Sequence, residues 1–260
     1  MPESDLDLLI DAARQAGEIA LHHKAKGLEV EHKPDGAGPV TQADFAVDRA
    51  LHEALTLARP DYGWLSEETQ DTPERLDRRR LFIVDPIDGT RSFVNGETTW
   101  AHSLAMVEDG VVTQGVVYLP EMDLLYSAAT AQGALCNGDP LSVSDISDIH
   151  AARILATKPN MEPEHWRKDV PGFARAHRPS LAYRLCLVAQ GRYDAMLTFR
   201  PSWEWDIAAG ALILSEAGAT VTDRHGETLR FNNAVPQTAG VVGAGPALHA
   251  QIAENLVYTG

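Results

Sequence analysis

The stretch Leu81-Phe-Ile-Val-Asp-Pro-Ile-Asp-Gly-Thr-Arg-Ser-Phe93 decides how the rest of the chain is read. Leu81 to Val84 is a short apolar run rich in β-formers, the pattern of a buried strand. Asp85 and Pro86 are expected to stop it, because Pro has no amide hydrogen to continue a ladder. Asp88, Gly89 and Thr90 then make a turn that opens a helix. Two carboxylates three positions apart at the end of such a strand converge on one point. Like charges held that close repel unless a cation sits between them. Hard oxygen ligands on a rigid frame suit Mg2+. The amides of Gly89 and Thr90, at a helix start, would receive an anion such as phosphate. Asp-Pro and Asp-Gly are equally ordinary turn formers, so the stretch taken alone is as well read as a plain turn. Other acids elsewhere in the chain have to decide.

The chain has 260 residues, enough for one large domain or two modest ones. Apolar content of 44% and charged content of 23% are those of a soluble globular protein. A net charge of -15 leaves no basic surplus for a nucleic-acid polymer or an anionic membrane. It is compatible with a small phosphorylated substrate whose charge a metal neutralises. Cys136 and Cys186 read as small core residues, which fits a reducing cytoplasm. The acidic N-terminus has no signal-peptide pattern, and no apolar run approaches the ~18 residues that span a bilayer.

Outward from the central stretch, Ser4 caps an amphipathic helix to about Lys24, and residues 33–39 form a loop or hairpin tip. A second helix starts at Thr41-Gln-Ala-Asp44. Residues 62–68 form a short strand ending in Glu67 and Glu68, of which at most one faces the pocket of Asp85, since neighbours on a strand alternate. Strands at 100–108, 111–119, 124–128 and 134–136 complete an N-terminal half of two helices on a mostly antiparallel sheet. Residues 139–150 are the expected boundary between residues 1–140 and 141–260. The second half alternates strands at 153–157, 193–199, 221–222, 229–231 and 239–244 with helices at 163–167, 180–190 and 248–256. Between them lies the nearly all-apolar helix after Asp206, with Asp206 as N-cap and Gly218 at its end.

Four separated pieces, Val40-Thr-Gln-Ala-Asp44, Ser66-Glu-Glu68, Asp85-Pro-Ile-Asp-Gly-Thr90 and Trp205-Asp-Ile-Ala-Ala-Gly210, resemble the inositol monophosphatase superfamily in order and spacing. The resemblance covers nearly the whole chain. It implies a layered αβαβα sandwich, of α+β or α/β class, and a Mg2+-dependent, often lithium-sensitive phosphatase. Glu67, Asp85 and the carbonyl of Ile87 would hold one Mg2+, and Asp85, Asp88 and Asp206 the second. Some relatives hold a third near Glu67. Asp44 and Thr90, with Glu67, would form the catalytic set that orients and activates water. Gly89 and Thr90 would cradle the phosphate. Relatives are commonly homodimers.

The segment from Pro179 to Gly191, followed by Phe199-Arg-Pro-Ser-Trp-Glu-Trp-Asp206, looks most like the bacterial 3'(2'),5'-bisphosphate nucleotidases. That likeness implies hydrolysis of adenosine 3',5'-bisphosphate to AMP and phosphate, with Ser180, Arg200 and Trp203 as specificity residues. Arg200 would meet the second phosphate and Trp203 the purine, or else they are a solvated residue and a packing aromatic. Inositol phosphatases often place a Glu seven residues before the last metal Asp, where this chain has Phe199. Inositol 1-phosphate and a broad range of small phosphomonoesters stay open as alternatives, as does a regulatory partner without catalysis. A haloacid-dehalogenase-type enzyme is set aside because its paired Asp residues are closer in sequence.

Overall fold

The computed structural model describes residues 4–33 and 38–257. Helix α1, Asp5–Lys26, is capped by Ser4, whose hydroxyl accepts from the Asp7 amide. Strands β1 (Val30–His32) and β2 (Pro39–Thr41) pair antiparallel, and the tip expected between them lies at 34–37, outside the described residues. Helix α2, Gln42–Ala58, opens with a capping box between Thr41 and Asp44. Next come β3 (Gly63–Ser66), β4 (Arg80–Asp88), the five-residue α3 (Thr90–Val94), β5 (Ala101–Glu108), β6 (Val111–Leu119), β7 (Leu124–Ala129), β8 (Ala134–Cys136) and β9 (Asp139–Pro140). Strands β3 to β9 form one seven-stranded sheet in sequence order, parallel only between β3 and β4.

The remaining elements are β10 (Arg153–Ala156), β11 (Ala174–Ala176), α4 (Leu181–Ala189), β12 (Ala195–Thr198), β13 (Ser202–Trp203), α5 (Glu204–Glu216), β14 (Thr220–Thr222), β15 (Gln237–Thr238), β16 (Val241–Ala244) and α6 (Pro246–Asn255). A five-stranded sheet runs β11-β10-β12-β16-β14. The expected helix at 163–167 is one 3-10 turn, Pro163–His165. The expected strand at 229–231 is absent; that segment is irregular, and the Phe231 amide bonds the Gly110 carbonyl instead of a strand partner.

Alternation along β4 sorts its side chains between two cores. Phe82 and Val84 pack with α1 and α2, while Leu81 and Ile83 pack with α4 and α5. The far side of α4 and α5 meets the second sheet through Leu155, Met196 and Val241. Helix α6 covers that sheet's outer face through Leu248 and Ile252. The result is the expected αβαβα stack, and its largest core draws on both sides of residue 140. Fully burying a Leu, Ile or Phe contributes roughly 1.5–3 kcal/mol, so these cores hold α5 firmly on the first sheet. Close approach helps: a Cβ on Gly115 of β6 would lie 2.9 Å from the Ala209 carbonyl of α5. Ser103 of β5, the partner of Asp85 across the sheet, also donates to the Trp205 carbonyl at 3.0 Å, fixing the first turn of α5 against β5. Among the described residues no helix is long and apolar enough to cross a membrane.

Candidate active site

Strand β4 does not stop at Asp85. It runs to Asp88, with a bulge in between: Asp85 pairs with Ser103 and Asp88 with Ala101. Two residues, Pro86 and Ile87, therefore oppose the single residue His102. Proline breaks the ladder locally, as its chemistry requires, but the chain recovers its pairing one step later. Without the bulge, residues three apart would point to opposite faces. With it, Asp85 and Asp88 share the face turned to α5. There Asp206 joins them, and the three carboxylates bring ligand atoms within 4.8 Å of one another. Asp206 is not the N-cap of α5. The helix starts at Glu204 after Trp203, which puts Asp206 in the third position and frees its carboxylate from capping.

Burial, then the charges of Glu67, Asp88 and Asp206, push Asp85 well above the usual carboxylate range. Asp206 is raised by burial, Asp88 and Glu67, and lowered again by Arg200 and Arg184. Burial raises Asp88, against bonds from Ser180 and the Ala182 amide that favour its anion. All the donors in this cluster are hard oxygens, and the charges oppose one another. That donor set fits a divalent cation such as Mg2+, which would reverse the repulsion.

Asp44 lies beside the cluster, almost fully buried, its Oδ2 accepting from the Thr41 amide and hydroxyl at 2.8 and 2.6 Å. Burial lifts its carboxyl to about 6 despite these bonds. Thr90 Oγ1 lies 3.4 Å from Asp44 Oδ1 and 3.1 Å from the Ile87 carbonyl. Gly89 has φ +96°, a left-handed turn that leads the chain from β4 into α3.

Glu67 and Glu68 depart from the strand rule. Strand β3 ends at Ser66, so alternation no longer applies, and one ammonium, Lys33 Nζ, bonds both at 2.7 and 2.6 Å. Both therefore sit on one side. The Glu68 side chain is 4% exposed, and burial lifts it to about 7. Burial works against the Lys33 charge, but its two partners prevail and raise its pKa. Ser180 is buried and engaged within the protein. Its hydroxyl donates to Asp88 Oδ2 at 2.6 Å, and the Ala182 amide adds a bond of 2.7 Å to the same oxygen. Arg200 is exposed, and its charge acts on Asp206. Trp203 is 38% exposed and stacks flat on Trp205 at 4.7 Å.

Three participants escaped the sequence reading. Lys33 joins through hairpin pairing, which local composition does not encode. Arg184 does carry a signal, as the one charge in the apolar helix Leu181–Ala189; it acts on Asp88 and Asp206. Glu204, fully buried two residues before Asp206, accepts from the Asn232 and Asn233 amides at 2.7 and 2.9 Å and ties the start of α5 to that loop.

An acidic cluster at the junction of a bulged strand and a packed helix, inside an αβαβα sandwich, is the setting, and the family match that follows gives the class: a phosphomonoester hydrolase. The chain belongs to the inositol monophosphatase family, whose sequence profile matches residues 1–259. It is 33% identical to a histidinol-phosphatase of Mycobacterium tuberculosis, covering 98% of this chain and 99% of the relative. It is also 33% identical to an inositol-1-monophosphatase of Rhizobium meliloti, covering 85% and 86%. Among solved structures, an IMPase of Thermotoga maritima superposes with a TM-score of 0.81 at 29% identity, covering 96% of this chain and 95% of the other.

Proposed function

We propose that this chain is a Mg2+-dependent phosphomonoesterase whose preferred substrate carries a second anionic group, with adenosine 3',5'-bisphosphate as the type. The convergence of Asp85, Asp88 and Asp206 within 4.8 Å carries the hydrolase part of this reading. Those three, with Glu67 and the Ile87 carbonyl, would hold one or two Mg2+, which supply charge neutralisation and lower the pKa of water. The chain's own residues do the rest. Asp44, lifted to about 6, is a base poised near neutrality, and Thr90 lies between it and the phosphate turn, suited to hold a water and relay its proton. The amides of Gly89 and Thr90, at the left-handed turn that starts α3, would bind phosphoryl oxygens.

Basic groups support the second anion. Arg184 and Arg200 both act on Asp206, and Arg184, Arg175 and Arg178 all act on His177. Arg200, exposed and acting on Asp206 in a chain of net charge -15, is suited to a phosphate beyond the scissile one. Exposed Trp203, backed by Trp205, offers a flat face for a base. Phe199, where a polyol-binding Glu would stand, is buried against Trp166 and cannot replace it. A second reading, histidinol phosphate, is favoured by the full-length relative with that name. A panel with purified protein and Mg2+ separates them. We expect kcat/KM for adenosine 3',5'-bisphosphate to exceed that for AMP, inositol 1-phosphate and histidinol phosphate. A lead for either of the last two overturns the second-anion reading, and Mg2+-independent release overturns the metal reading.

A further inference from the structure

We propose that His102 is a positioning residue, which sets the spacing of Asp85 and Asp88 from the opposite face of the sheet. It rests on reading those two acids as cation ligands. Three backbone groups at the bulge between them are each bonded by a side chain. The Ile87 amide donates to Asp85 Oδ1 at 2.9 Å. The Ile87 carbonyl accepts from Thr90 Oγ1. The Pro86 carbonyl is bonded by His102 Nδ1. The first two partners belong to the site; His102 does not.

Its neighbours Trp100, Leu104 and Met106 pack with α1 and α2, away from the acids. His102 is fully buried there, with the Trp100 ring edge-on at 5.4 Å and Tyr118 at 6.4 Å. A carbonyl only accepts, so Nδ1 must carry the proton. Nε2 then has no hydrogen-bond partner among the described residues. Burial holds the ring neutral, with its pKa lowered to about 4. A neutral ring with one proton and a partner for only one nitrogen has a single favourable tautomer. The other tautomer would set a bare nitrogen against the Pro86 oxygen and release the bulge. A straightened strand would turn Asp88 away from Asp85.

Two measurements on the full chain test this. Long-range proton–nitrogen NMR should find His102 neutral, with its proton on Nδ1; a proton on Nε2 overturns the proposal. Calorimetric titration with Mg2+ should show a tenfold or greater loss of affinity in His102→Leu, as for other residues that orient ligands from behind. His102→Asn, whose Nδ2 can donate from nearly the same place, should stay within about threefold of the unaltered protein. Equal affinity in His102→Leu, or equal loss in both variants, overturns the proposal. Should His102→Leu not fold, the tautomer and the Asn variant still decide. An unaltered protein that takes up no Mg2+ would sink the metal reading itself, while the tautomer would still report on the bulge.

Discussion

Asp85 stabilises its own bulge through Ile87 and also brings a negative charge to a crowded pocket. Asp85→Asn keeps the first role, since the amide oxygen still accepts, and removes the second. Turnover should fall by about a thousandfold or more, because charge placed for the transition state is lost. The metal-free variant should melt at a higher temperature than the unaltered chain, because a buried repulsion is gone. A phosphate-release assay and a melt in EDTA check the two halves. Arg200→Ala should lower kcat/KM for adenosine 3',5'-bisphosphate by about 10- to 100-fold, the size of a charge-assisted bond, and leave inositol 1-phosphate nearly unchanged. Equal loss on both substrates removes Arg200 from the specificity account. At this scale the acids were legible because carboxylates in Asp-Pro-Ile-Asp-Gly-Thr have few uses together. Ser180 was not, because a serine looks the same whether it meets substrate or Asp88.

Elements decide whether those side chains meet. Asp206 reaches Asp88 only because α5 lies tight on the first sheet, where Gly115 leaves room for the Ala209 carbonyl. Gly115→Ala should cost about 1–3 kcal/mol in urea unfolding, from overpacking against backbone that cannot yield. Gly172→Ala, which meets nothing closer than 3.7 Å, is the control and should be near neutral. Equal effects would show that the contact is not tight. Helices were readable mostly from their periodicity, and α1 with its Ser4 cap is the best case. The passage of β4 through Pro86 was not, because a bulge depends on the partner strand.

Across the whole molecule, the site is a store of buried negative charge. A carboxyl whose pKa is higher folded than unfolded binds more protons when folded, so stability falls as pH rises from about 4 through the folded value. Asp44 at about 6 and Glu68 at about 7 place that fall between roughly pH 4 and 7. In EDTA the melting temperature should drop across that window. Added Mg2+ should raise it most at the upper end, because binding to the folded state alone stabilises it. A flat profile in EDTA, or no response to Mg2+, would count against a cation-binding cluster.

The amino-acid order alone pointed to Asp85, Asp88 and Asp206, which converge, to where most helices lie and to the family that the chain belongs to, because these rest on local chemistry and on motifs read along the chain. Only the tertiary structure decided that Glu67 and Glu68 share Lys33, that Ser180 serves Asp88, and that His102 backs the bulge. Each of those depends on residues far apart in sequence meeting across strands and helices, and such meetings are set by packing of whole layers rather than by any local pattern.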